Sequence, residues 1–128
     1  MEKEIKILMV DDEPDFTEPM AFWFTSKGYH TTVSSDGKSA LKIIKERTPD
    51  IVFLDLNMPV MDGFETLKKI REIDKTLPIV IISAYADPRK IKQMQPYGIA
   101  GIFYKGSDFN EGLSLLESIL RRHKKLQK

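Results

Sequence analysis

The stretch Ile51-Val52-Phe53-Leu54-Asp55-Leu56-Asn57-Met58-Pro59-Val60-Met61-Asp62-Gly63 decides the reading of this chain. Four apolar, strand-favouring residues run into a lone carboxylate and then into a turn. A strand that is apolar at every position is buried on both faces, as in parallel sheets. The first polar residue beyond its C-terminal end emerges where open α/β sheets bind their ligands. Asp55 is therefore the first candidate for chemistry, as a metal ligand or as a nucleophile toward phosphorus.

Working outward, four further strand-like runs appear at Ile5 to Val10, Thr31 to Ser34, Ile79 to Ile82 and Gly101 to Tyr104, each separated by a helix-length segment. In the first such segment Phe16, Met20, Trp23 and Phe24 share a helical face, and Lys27-Gly28 closes the helix. Pro19 is expected near its first turn unless it kinks that helix. A second helix is expected over Ser39 to Arg47, and a third with Phe64, Leu67, Ile70 and Ile73 inward. The segment Asp87 to Gln95 is the least apolar and is closed by Pro96 and Gly98. A fifth helix is opened by Asp108 and Glu111 as a capping box ahead of Leu113, Leu116 and Leu120. Strands alternating with helices at this spacing require parallel pairing and right-handed crossovers. The expected fold is a doubly wound α/β (βα)5 domain over residues 1–128, with helices on both faces of a five-stranded parallel sheet.

Composition narrows the function class. At 128 residues and 41% hydrophobic content the chain is large enough for one core. With 20 basic and 19 acidic residues, net charge +1, no global field draws it to nucleic acid or to a membrane surface. The absence of cysteine excludes disulfides and thiolate metal sites. No run approaches membrane-spanning length and the N-terminus does not read as a signal peptide, so a cytoplasmic location without membrane insertion is expected.

Other strand ends carry polar residues too. The first strand ends in Val10-Asp11-Asp12-Glu13, the fourth in Ser83 and the fifth in Lys105. If the first and third strands are neighbours, Asp11, Asp12 and Asp55 converge, and such a cluster implies a bound cation or a raised pKa. All-oxygen ligands suit Mg²⁺. Taken singly, Asp11-Asp12 reads as a helix cap, Ser83 as a turn residue and Lys105 as a solvated lysine. The coincidence at four strand ends is what argues for a site.

Val10-Asp11-Asp12, Asp55 with Met58-Pro59-Val60-Met61-Asp62-Gly63, Ser83-Ala84 and Lys105 together resemble the receiver domain of two-component response regulators, over almost the full length of the chain. The resemblance implies a flavodoxin-like strand order 2-1-3-4-5. It implies that Asp55 accepts a phosphoryl group from a histidine kinase or a histidine phosphotransfer protein. It implies Mg²⁺ held by Asp11, Asp12, Asp55 and the backbone carbonyl of Asn57, with Lys105 and Ser83 on the phosphoryl oxygens and Asn57 and Tyr85 flanking the approach of water. A positive ion and an ammonium would neutralise charge on the equatorial oxygens during in-line attack. The output implied is a change of partner-binding surface, acting on a downstream protein target as a monomer or a phosphorylation-dependent dimer. Such a chain is a signalling switch with its own phosphorylation and dephosphorylation chemistry rather than an enzyme with an outside substrate.

Two positions depart from that pattern. Ile102 stands where the family places an aromatic switch residue, and Gly106 follows Lys105 where a cis-proline is usual. A non-proline cis bond costs roughly 3 kcal/mol, so a trans bond is expected. Phe22 lies off the apolar stripe of the first helix and, if exposed, is a docking contact for a partner. The basic tail Arg121-Arg122-His123-Lys124-Lys125 complements the last helix dipole, and neither His30 nor His123 lies at the strand ends that matter. Among rival readings, a haloacid-dehalogenase-type phosphohydrolase wants an acid where Asn57 stands. A flavodoxin-like cofactor binder would have its phosphate repelled by Asp11-Asp12-Glu13. A degenerate receiver serving only as an interaction module is motivated by Ile102 and Gly106.

Overall fold

The computed structural model describes residues 4–58, 61–85, 87–123 and 125. Pro59 and Val60 of the central motif and Lys124 of the basic tail lie outside the described residues. The elements run in strict alternation: β1 (Lys6–Val10), α1 (Pro14–Ser26), β2 (His30–Ser34), α2 (Gly37–Glu46), β3 (Ile51–Asp55), α3 (Gly63–Ile73), β4 (Ile79–Ser83), α4 (Pro88–Met94), a 3₁₀ turn (Gln95–Tyr97), β5 (Gly101–Tyr104) and α5 (Phe109–Arg122). All five strands are parallel, in the order β2-β1-β3-β4-β5. The expected topology and strand positions are thus found, with edges shifted by one residue.

Two apolar layers hold the sheet, and the two-residue period of the strands sorts side chains between them. Leu8, Val10, Val52, Leu54, Ile79 and Ile81 pack with Ala40, Ile44, Leu67, Ile70 and Met94 beneath α2, α3 and α4. Ile7, Met9, Ile51, Phe53, Val80, Ile82 and Phe103 pack with Met20, Phe24, Leu116, Ile119 and Leu120 beneath α1 and α5. Because both faces are covered, β3 and β4 are buried at every position, which is why their sequences are apolar up to the terminal Asp55 and Ser83.

Several local expectations are revised. Pro19 lies in the second turn of α1, which begins at Pro14, so the helix bears an internal proline and Asp15 has no i+4 amide donor. Ile73 is 41% exposed rather than inward, because it is the last residue of α3 and has passed the edge of the sheet. In α5 the Asp108 side chain accepts from the amide of Asn110, and Glu111 donates its amide to the Asp108 carbonyl. Phe22 is 76% exposed, as its position off the stripe implied, whereas Phe24 is fully buried and Trp23 packs between Phe109 and the Lys27 ammonium. Every described peptide bond is trans, and Gly106 takes a left-handed φ of +92°.

Candidate functional site

The period that sorts the core also aims the polar strand ends. Ile7 and Met9 of β1, Ile51 and Phe53 of β3 and Phe103 of β5 all face α1 and α5. Continuing by two residues, Asp11, Asp55 and Lys105 fall on that same face at the C-terminal edge of the sheet. Register brings them level, since Val10 pairs with Leu54, Asp55 with Ile82 and Ile82 with Phe103.

The resulting geometry is compact. One carboxylate oxygen each from Asp11, Asp12 and Asp55 lies within 4.8 Å of the others, with Asp11 and Asp55 buried and Asp12 exposed. The Lys105 ammonium stands 3.0 Å from Asp11 Oδ2 and 3.6 Å from Asp55 Oδ2, pairs with Glu13 Oε1, and lies 5.2 Å from the centre of the Phe16 ring. Its backbone amide donates to the Ser83 carbonyl at 2.8 Å, which joins the ends of β4 and β5. Asp55 Oδ1 accepts the amide of Asn57 at 3.2 Å. Gly63 opens α3 against the end of β3, donating its amide to the Leu56 carbonyl at 2.9 Å.

Asp11 and Asp12 do not cap α1. The N-cap residue is Glu13, whose side chain makes no cap bond, and Asp11 Oδ1 instead accepts the Glu13 amide at 3.0 Å. The helix-cap alternative therefore fails on geometry, since neither acid closes the first turn of α1.

Electrostatics fit such a pocket. Burial pushes the Asp55 carboxyl up to about 7, and the neighbouring Asp11 charge adds to this against the Asn57 amide and Lys105. Burial works against the Lys105 ammonium, but its close contacts with the Glu13 and Asp11 carboxylates and the charge of Asp55 outweigh it and raise its pKa. Three acids share one lysine with a negative balance, a deficit a cation would relieve. Asp11 Oδ2 is fully buried and has no well-aligned hydrogen-bond donor, the ammonium at 3.0 Å being its close partner. An under-satisfied buried carboxylate oxygen beside two more carboxylates fits a hard divalent cation such as Mg²⁺.

Ser83, on the opposite side of the alternation, is buried and donates its hydroxyl to the Tyr85 carbonyl at 2.5 Å, within its own loop. Ile102 is partly buried against the layer beneath α2, α3 and α4, the same side as Ser83. Tyr85 is 71% exposed, and Asn57 Oδ1 receives a long 3.5 Å bond from Lys90 of α4. His30 pairs with Lys6 at the opposite end of the sheet, and His123 caps α5. Glu13 was legible only as one more acid in the first loop. Its pairing with Lys105 spans 92 residues and has no local signal.

The model of the response regulator receiver domain matches residues 7–123. Sporulation initiation phosphotransferase F of Bacillus subtilis is 35% identical over 106 residues, covering 83% of this chain and 86% of that protein. Regulatory protein AtoC of Escherichia coli is 30% identical over 122 residues, 95% of this chain but only 26% of that protein. Among solved structures, chemotaxis protein CheY4 of Vibrio cholerae superimposes with a TM-score of 0.88 at 28% identity, covering 92% of this chain and 100% of that one. Among the described residues no helix is long and apolar enough to cross a membrane. With the family model spanning most of the chain and the acidic pocket at the sheet edge, the chain belongs to the response regulator receiver domains of two-component systems.

Proposed function

We propose that this receiver takes a phosphoryl group onto Asp55 from a phosphohistidine of a kinase or phosphotransfer protein. A carboxylate oxygen of Asp55 forms the new P–O bond as the P–N bond breaks, and the imidazole leaves with that electron pair and takes up a proton. The observation that carries this reading is the Lys105 ammonium held between the buried carboxylates of Asp11 and Asp55. There it is placed to meet the charge that develops on the transferring group. Asp11, Asp12, Asp55 and the Asn57 carbonyl would hold Mg²⁺, which when bound supplies charge neutralisation at the phosphoryl oxygens. The Asn57 amide orients the Asp55 carboxylate, and the sheet edge keeps Asp55 and Lys105 in register.

The product adds nearly two negative charges and three acceptor oxygens at the end of β3. Ser83 would leave the Tyr85 carbonyl for those oxygens and draw its loop with it. Ile102 lies on the same side of the sheet and would adjust by packing, having no ring to rotate and no hydroxyl to re-pair. The altered face of α4, β5 and α5 would then be read by a protein target, in the cytoplasm and without direct contact to nucleic acid. On this reading residues 1–128 act as one receiver unit, monomeric or dimerising on phosphorylation.

Intact mass after incubation with acetyl phosphate tests the proposal. One phosphoryl group is expected with Mg²⁺ and none with chelator. No adduct under either condition would leave the chain as a phosphorylation-independent interaction module.

Phe22 would contact the incoming phosphodonor protein. Phe22→Ala is expected to slow transfer from such a donor by about tenfold, the loss of one exposed aromatic anchor, while acetyl phosphate still reacts at the wild-type rate. Unchanged transfer from the protein donor would remove Phe22 from the docking surface.

A further inference from the structure

The two ends of α4 are held unequally. At its C-terminal end Met94 is fully buried and the chain continues through the 3₁₀ turn into Gly98, whose φ is +75°. There the Arg71 guanidinium of α3 makes three bonds to main-chain carbonyls, from Nε to Tyr97 at 2.6 Å, from Nη2 to Gly98 at 2.8 Å and from Nη1 to Asp74 at 3.0 Å. The fork thus ties the end of α3 to the segment leading into β5. Phe64 of α3 adds an edge-on contact with Tyr97 at 5.7 Å. The Asp74 carboxylate is engaged with Thr76 and Leu77, and among the described residues Arg71 forms no ion pair. Its bonding is thus spent on backbone position.

The N-terminal end has little of this. Pro88, Arg89 and Lys90 are exposed, Asp87 caps its own helix, and among the described residues the one long-range polar contact is the 3.5 Å bond from Lys90 to Asn57. That end adjoins the loop in which Ser83 bonds Tyr85. Segments with few buried contacts open most easily.

We propose that Arg71 is a positioning residue of the switch, pinning the C-terminal end of α4 to α3 so that the end beside Asn57 and Tyr85 is the one that moves. This rests on the phosphorylation reading only for the stimulus, since the unequal tethering is a property of the resting molecule. With the fork in place, a shift of the Ser83 loop swings α4 about the Tyr97–Gly98 anchor. Without it, α4 would be loosened at both ends and the displacement would reach the connection to β5 and Ile102.

Hydrogen exchange on the full chain tests this, using wild type, Arg71→Met and Arg71→Lys. In the resting wild type, residues 84–91 exchange faster than 95–100. In Arg71→Met, exchange over 95–100 rises by about tenfold, as expected for losing charge-assisted bonds, while 51–55 and 79–83 stay within about twofold. Arg71→Lys keeps the charge without the fork and gives a smaller rise in the same peptides. Beryllofluoride with Mg²⁺, as a phosphoryl mimic, alters 84–91 in wild type and spreads to 95–100 in Arg71→Met. An unmoved 95–100 in both variants, or a wild-type response as large at 95–100 as at 84–91, overturns the proposal. If Arg71→Met unfolds, the wild-type profile and Arg71→Lys still decide it. An absent response at 51–58 would overturn the reading of Asp55, while the resting comparison would still decide the anchor.

Discussion

Asp55→Asn is expected to abolish the phosphoryl adduct seen by intact mass and, in chelator, to stabilise the fold at alkaline pH. The first effect follows because the amide has no anionic oxygen to attack phosphorus. The second follows from linkage. The folded-state pKa of Asp55 is raised from 3.8 to about 7, chiefly by burial and then by the charge of Asp11. A raised acid is most stabilising to the fold when protonated. Its contribution is present below the unfolded pKa, is lost as pH rises from about 4 to about 7, and stays lost above that. Discounted for solvent at the pocket mouth, the effect amounts to about 1–3 kcal/mol. Denaturant melts of both chains at pH 4 and pH 8 would show it: the difference should be small at pH 4 and favour Asp55→Asn at pH 8. A variant less stable than wild type at pH 8 would mean that Lys105 outweighs burial and Asp11 together.

Gly63→Ala should do more damage than any other glycine substitution near the site. A Cβ there would stand 2.1 Å from the Asp55 carbonyl oxygen, 2.6 Å from the Leu56 Cα and 2.9 Å from the Asp55 carbonyl carbon. All three are backbone atoms of the strand end that carries Asp55, and no side-chain rotation relieves them. Either α3 retreats or the end of β3 bends. We expect a loss of about 3 kcal/mol, a drop in Tm of about 10 °C, from overpacking against rigid neighbours. Because a displacement near 1 Å at the reacting group costs about 100-fold in rate, phosphorylation should fall further than stability predicts. Gly28→Ala is the control: it has φ +97° but open space around it, so it should carry backbone strain of about 1 kcal/mol and leave the site intact. Equal melting temperatures for Gly63→Ala and wild type would refute the close approach of α3 to β3.

Much of this molecule was legible because its signals are local. The uninterrupted apolar runs of β3 and β4 announce strands buried on both faces, and strand ends mark the ligand edge whatever the loops do. Asp11, Asp55 and Lys105 were therefore identifiable without coordinates, as residues just past apolar runs. Ser83 was legible as a strand-end hydroxyl, but its orientation was not. A turn hydroxyl can serve its own loop or the pocket, and the structure has it on the Tyr85 carbonyl.

By itself, then, the sequence determined the (βα)5 alternation, the acidic pair, the lone carboxylate and the lysine, because hydrophobic period and strand termination are properties of a few neighbouring residues. Only the tertiary structure decided which acid meets which base. Lys105 reaches Asp11, Asp55 and Glu13 because register sets β1, β3 and β5 level, and Arg71 finds Tyr97 and Gly98 because α3 packs beside the 3₁₀ turn. Those partners are tens of residues apart along the chain. Their meeting is fixed by the packing of two faces on one twisted sheet, which no window of sequence contains.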